Sequence, residues 1–102
     1  MLTEKDYCDY DTYVALEELG YPEVMAFNKP FLLYEAQKWL REEKGVIVEV
    51  FVDDDSDTPI TYNIYKDGEC VCHHHGKYWS VKEWSKALSE GIKEAIKILK
   101  EN

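Results

Sequence analysis

Basic residues are scarce in this chain. Twelve lysines and arginines stand against 21 aspartates and glutamates among 102 residues, for a net charge of −9 at pH 7. Gripping a phosphate backbone takes a lysine or arginine patch, so direct nucleic-acid binding is not expected. Basic protein partners stay open, as does a decoy role in which carboxylates imitate nucleic acid; solubility is the simplest use of the charge. No apolar run approaches a membrane span. The opening MLTEKDYCDYD lacks both a basic region and an apolar stretch, so no secretory signal is expected. There is no phosphate-cradling glycine loop, nucleophile motif or cofactor fingerprint. Paired carboxylates occur only as charge runs such as Glu42-Glu43. Enzymatic activity and a bound cofactor are therefore not expected. Cysteine is limited to Cys8, Cys70 and Cys72; an odd count without a signal reads as reduced thiols in the cytoplasm.

What is present is the material of a globular domain. The chain is 45% hydrophobic and 14% aromatic, enough to fold as a single domain over 1–102. Residues 9–20 read as a short helix with Asp9 as N-cap, Val14, Ala15, Leu16 and Leu19 on its apolar side, and Gly20 just past its end. Residues 21–29 read as a loop, with Met25 and Phe27 directed to the core. Residues 30–44 read as a second helix that starts at Pro30 and carries Leu32, Leu33, Ala36, Trp39 and Leu40 on one face. The run VIVEVFV (46–52) is a strand: Val46, Val48, Val50 and Val52 share the core face, and Ile47, Glu49 and Phe51 the wetter one.

A loop at 53–59 leads to a second strand at 60–66. Asp67-Gly68 is then the clearest hairpin signal in the chain, because both turn positions need positive φ; the return strand runs 69–75. Ser80 and Glu83 form a capping box for the last helix, with Trp79 and Trp84 placed as a hydrophobic staple. Trp84, Leu88, Gly91, Ile92, Ala95 and Leu99 form its apolar face. Gly91 costs that helix about 1 kcal/mol against alanine, which close packing on a neighbour would offset. The fold class is α+β, in the order α-α-β-β-β-α: a three-stranded antiparallel meander with helices packed mainly on one face.

Three blocks, YCDYDTYVALEELGY, LLYEAQKWLREEKGVIVEV and WSVKEWSKALSEGIKEAIKIL, resemble a family of short uncharacterised proteins from phages, prophages and other mobile elements of gut Bacteroidetes-type bacteria. The matching positions are Gly20-Tyr21, Ala36 to Glu42 and Ala87 to Leu99. The resemblance covers most of the chain and implies a fold and a genomic habitat, but no activity. The cysteine–histidine run is not part of the shared pattern. The strand order framed by helices is also similar to the double-stranded RNA-binding domain. That is a likeness of fold alone, and the lysine-rich helix start such domains use on phosphate is absent here.

The stretch ECVCHHHGKYW (69–79) holds all three histidines of the chain. On a strand its side chains alternate, so Cys70, Cys72 and His74 share one face and His73 and His75 the other. A two-residue turn sets Val71 opposite Ile64, and Cys70 and Cys72 opposite Tyr65 and Asn63 on the wetter side. Three ligands in a row do not surround a zinc ion; the fourth must come from Cys8 or a second molecule. Metal binding through Cys70, Cys72 and His74 is thus an alternative to a plain strand. Asp53, Asp55 and Asp57 alternate as in a calcium loop, but Thr58 and Ile64 occupy the positions where glycine and glutamate are required. The aromatics give a second candidate: Tyr7, Tyr10, Tyr13 and Tyr21 cluster around the first helix, and interfaces favour tyrosine. The reading that follows is a small acidic accessory protein acting through an unknown protein partner or as a homodimer. The acidic decoy and the metal-binding protein are its alternatives.

Overall fold

The computed structural model describes residues 8–21, 32–53, 56–72 and 77–101. The elements are α1 (Tyr10–Glu18), α2 (Leu33–Lys44), β1 (Val46–Val52), β2 (Ile60–Lys66), β3 (Glu69–Cys72) and α3 (Trp84–Lys100), the last preceded by a 3₁₀ turn at Val81–Glu83. The fold is α+β in the order α-α-β-β-β-α, and the sheet is an antiparallel meander in the order β1-β2-β3.

Local chemistry sets the boundaries. Asp9 Oδ1 accepts from the Thr12 N–H at 2.8 Å, satisfying a donor that the first turn of α1 leaves unpaired. At the other end Tyr21 N donates to Leu16 O and Gly20 N to Glu17 O, with Gly20 at φ 101°. That pair of bonds is a Schellman stop, which a Cβ at residue 20 would disfavour. The expected start of α2 at Pro30 lies outside the described residues, as do Met25 and Phe27. Within them α2 begins at Leu33, and Glu35 reaches back to accept from the Leu32 N–H at 2.8 Å. Asp67 and Gly68 both have positive φ, at 52° and 87°, as a two-residue hairpin turn requires.

The core lies between the sheet and one layer of helices. α3 packs on β1 and β2, α2 on β1 and α3, and α1 on α3. Val46, Val48, Ile60, Tyr62 and Ile64 face this layer and are buried. Against them lie Leu16 of α1, Leu33, Ala36 and Leu40 of α2, and Ala87, Ile92 and Ala95 of α3. Each fully buried aliphatic side chain of this kind contributes roughly 1.5–3 kcal/mol relative to exposure. The valine face meets the core as the alternation predicts. It runs out at the end of the strand, where Val52 is exposed.

At Gly91 the close approach expected of a mid-helix glycine is present: a Cβ there would stand 2.6 Å from Val48 Cγ1 and 3.3 Å from Tyr62 Cγ. Leu88, Ile92 and Ala95 are buried beside Gly91 as expected, and Leu99 packs against the core. Ala87 and Ile96 join this face, whereas Trp84 is 43% exposed and is not a core residue. Trp79 is buried and stacks on Tyr62 with ring centres 5.9 Å apart. The Ser80–Glu83 cap forms, with Glu83 Oε1 accepting from both the Ser80 N–H and its hydroxyl at 3.1 Å.

Candidate functional site

The cysteine-bearing hairpin departs from a simple ladder. Tyr65 pairs with Cys70 as expected, but Ile64 pairs with Cys72, and the register shifts between Ile64 and Tyr65. Val71 is the extra residue of a bulge and is 44% exposed. The expectation that Cys70 and Cys72 share the wetter face, with Cys72 opposite Asn63, is therefore corrected. Cys70 is exposed, whereas Cys72 turns into the core and is 6% exposed. Burial is the main cause that pushes the Cys72 thiol up, and Glu94 and Cys70 add to it.

The described part of β3 is Glu69–Cys72, and the expected continuation through His73, His74 and His75 lies outside the described residues. The chain rejoins β2 at Trp79, which exchanges backbone hydrogen bonds with Ile60 at 2.9 and 2.8 Å. Cys8 is buried in the core cluster, its thiol pushed up to about 12 by burial and by the charges of Asp9 and Glu35. Among the described residues no group of three or more histidine, cysteine, aspartate or glutamate side chains is placed to hold a metal ion.

The described tyrosines around α1 are spread along its length. Tyr7 lies outside the described residues. Tyr10 opens α1 and is 76% exposed, and Tyr13 is half-buried one turn on. Tyr21 follows the Schellman stop at the opposite end of α1. Its ring lies 5.0 Å from that of Trp39, tilted by 58°.

The feature that sequence reasoning left unassigned is the second face of the sheet. The helices cover one face only, and strand alternation turns Ile47, Glu49 and Phe51 of β1, Thr61, Asn63 and Tyr65 of β2, and Cys70 of β3 the other way. Ile47 sits directly opposite Tyr65 and is 42% exposed; Phe51 and Tyr65 are half-buried. Val71 of the bulge is the exposed apolar residue next to Cys70.

Glu49 is the one charged side chain in that set, and its Oε1 accepts from the Tyr65 hydroxyl at 3.3 Å. Opposite it, Asn63 has a buried side-chain oxygen with no hydrogen-bond partner among the described residues. At the Ile60 end Thr61 is fully buried and donates its hydroxyl to Lys77 O at 2.8 Å, so the returning chain covers that corner. The sequence signal for this face was the alternation of Ile47, Glu49 and Phe51.

Among the described residues no helix is long and apolar enough to cross a membrane. No protein-family model, no curated protein and no solved structure matches the chain.

Proposed function

We propose that the protein is a small, acidic, cytoplasmic accessory protein of mobile-element type that acts by binding a protein partner and not by catalysis. The open sheet face carries this reading. It sets Ile47 beside Tyr65, with Phe51 beyond Glu49 on the same strand face and Val71 next to Cys70. The described helices pack on the opposite face, and apolar side chains left exposed in this way mark interaction sites.

Its chemistry fits an apolar partner surface carrying a basic or amide donor. Glu49 offers a carboxylate at the middle of the face. Self-association is disfavoured, because each copy brings a net charge of −9 to the contact.

The test is affinity capture from an extract of the source cells, comparing wild type with Ile47→Asp and with Val81→Asp. Val81 is 66% exposed on the 3₁₀ turn, away from the sheet. A partner held by wild type and Val81→Asp but lost with Ile47→Asp, with both variants folded by circular dichroism, supports the reading. Equal retention by all three proteins rejects it. Displacement of the partner by added DNA would replace it with nucleic-acid mimicry.

A further inference from the structure

Separate from the sheet, and not dependent on the reading just given, a cleft of about 370 Å³ lies between Tyr21 and the outer side of α2, where it is lined by Tyr34, Glu35, Lys38, Trp39 and Glu42. The spacing along α2 explains the grouping. Tyr34 and Lys38, and Glu35 and Trp39, are each four residues apart, and Glu42 follows Lys38 by four, so the five form one stripe. The Schellman turn at Gly20 delivers Tyr21 against this stripe, where its ring meets Trp39 at 5.0 Å. Tyr34 is 55% exposed.

Among the described residues, three aromatic rings, two carboxylates and a single lysine line this space. We propose that this cleft receives a cationic side chain, lysine or arginine, from a partner protein.

Two observations favour a cation over an apolar or anionic occupant. The Trp39 ring already attracts one: Lys44 Nζ stands 5.5 Å from its centre, and Lys44 is not among the residues lining the cleft. Ring faces hold ammonium and guanidinium groups through their quadrupole. The charge lining the cleft is also net negative, two carboxylates against Lys38. Burial, and after it the Glu35 charge, raises the Tyr21 hydroxyl above its ordinary value. The positive start of α2 lies close by, but Glu35 offsets it by accepting from the Leu32 N–H at 2.8 Å. The groove between α1 and α3 is different in kind: its lysine, Lys93, is already paired with Asp9 at 3.0 Å.

The test is a two-dimensional NMR titration of the full chain with N-acetylarginine N-methylamide, with the corresponding lysine derivative, and with the citrulline derivative as a neutral isostere. Saturable shifts at Tyr21, Tyr34 and Trp39 with the two cations and not with citrulline are expected. Tyr34→Ala should weaken binding about three-fold by removing one ring, and the double variant Glu35→Gln/Glu42→Gln about five-fold by removing both charges. Glutamine at position 35 keeps the acceptor that Leu32 needs, so α2 stays capped. Equal shifts with citrulline, shifts spread over acidic residues outside the cleft, or unchanged affinity in both variants would each overturn the proposal. None of these outcomes depends on whether the sheet face binds a partner.

Discussion

Replacing Gly91 with alanine measures how closely α3 lies on the sheet. On helix propensity alone the change should stabilise the protein by about 1 kcal/mol, because glycine is the costlier residue in a helix interior. The surroundings oppose it. The new methyl would stand 2.6 Å from Val48 Cγ1, and 3.3 and 3.4 Å from Cγ and Cδ1 of Tyr62. Val48 is 1% exposed and branched at Cβ on a central core position, so its methyl has no open space and few rotamers into which to retreat. Overpacking of this kind costs about 1–3 kcal/mol.

The net expectation is a loss of roughly 1 kcal/mol, or about 4–8 °C in Tm for a domain of this size. Thermal denaturation followed by circular dichroism reads it. In a Val48→Ala background the clashing methyl is gone, so Gly91→Ala should turn neutral or stabilising there, with a coupling of about 1 kcal/mol or more. A Gly91→Ala protein that melts above wild type, with Val48 intact, would refute the close approach.

Burial raises the Asp9 carboxyl, but hydrogen bonds from Thr12 and Lys93 outweigh this and hold it below its ordinary 3.8. A depressed carboxyl contributes stability that is complete above about pH 4 and lost as the pH falls through the folded value. Asp9→Ala should therefore cost about 1 kcal/mol in urea unfolding at neutral pH and less at about pH 2.5; a cost that does not shrink with acid would contradict the cap. Ellman's reagent at neutral pH should modify Cys70 first. Cys8, with its thiol pushed up to about 12, holds roughly a thousand-fold less thiolate than an ordinary cysteine, and Cys72 is shielded in the core. Rapid modification of all three would count against both burials. Cys72→Ser should lower stability by about 1–3 kcal/mol by burying a hydroxyl, whereas Cys70→Ser should stay within about 0.5 kcal/mol; equal effects would mean the bulge is misplaced.

The parts of this fold that were legible in the sequence are those set by local chemistry. Asp9, Gly20 and the Asp67-Gly68 pair each satisfy a backbone requirement within a few residues, and each does so in the structure. The valine alternation named the core face for the same reason, since period two is a property of one strand.

The bulge at Val71 was not legible. No glycine or proline stands at 70–72 to announce it, and an even two-residue turn is compatible with an unbroken ladder. The shift comes from tertiary packing, in which Cys72 meets Ile64 on the buried side. Trp84 was misplaced because the staple and its helical spacing from Leu88 put it on the apolar face; instead it is 43% exposed, and Ala87 and Ile96 are buried on that helix. The α2 stripe of Tyr34, Glu35 and Glu42 carries no motif of its own. Its cleft exists only because Tyr21 arrives from a different element.

Gln37 has a consequence of another sort. β1 is an outer strand of the sheet, and its sequence, VIVEVFV, is a seven-residue run with one charge and no proline. Left uncovered, such a strand is a template for growth by edge-to-edge stacking of copies. From α2, the Gln37 amide donates to the Val48 carbonyl at 2.6 Å, occupying an acceptor at the middle of that strand. The opposite edge is blunted differently, by a four-residue β3 with a bulge in it. Each border of the described sheet thus carries a feature that hinders strand addition, the Gln37 amide on one and the bulge on the other.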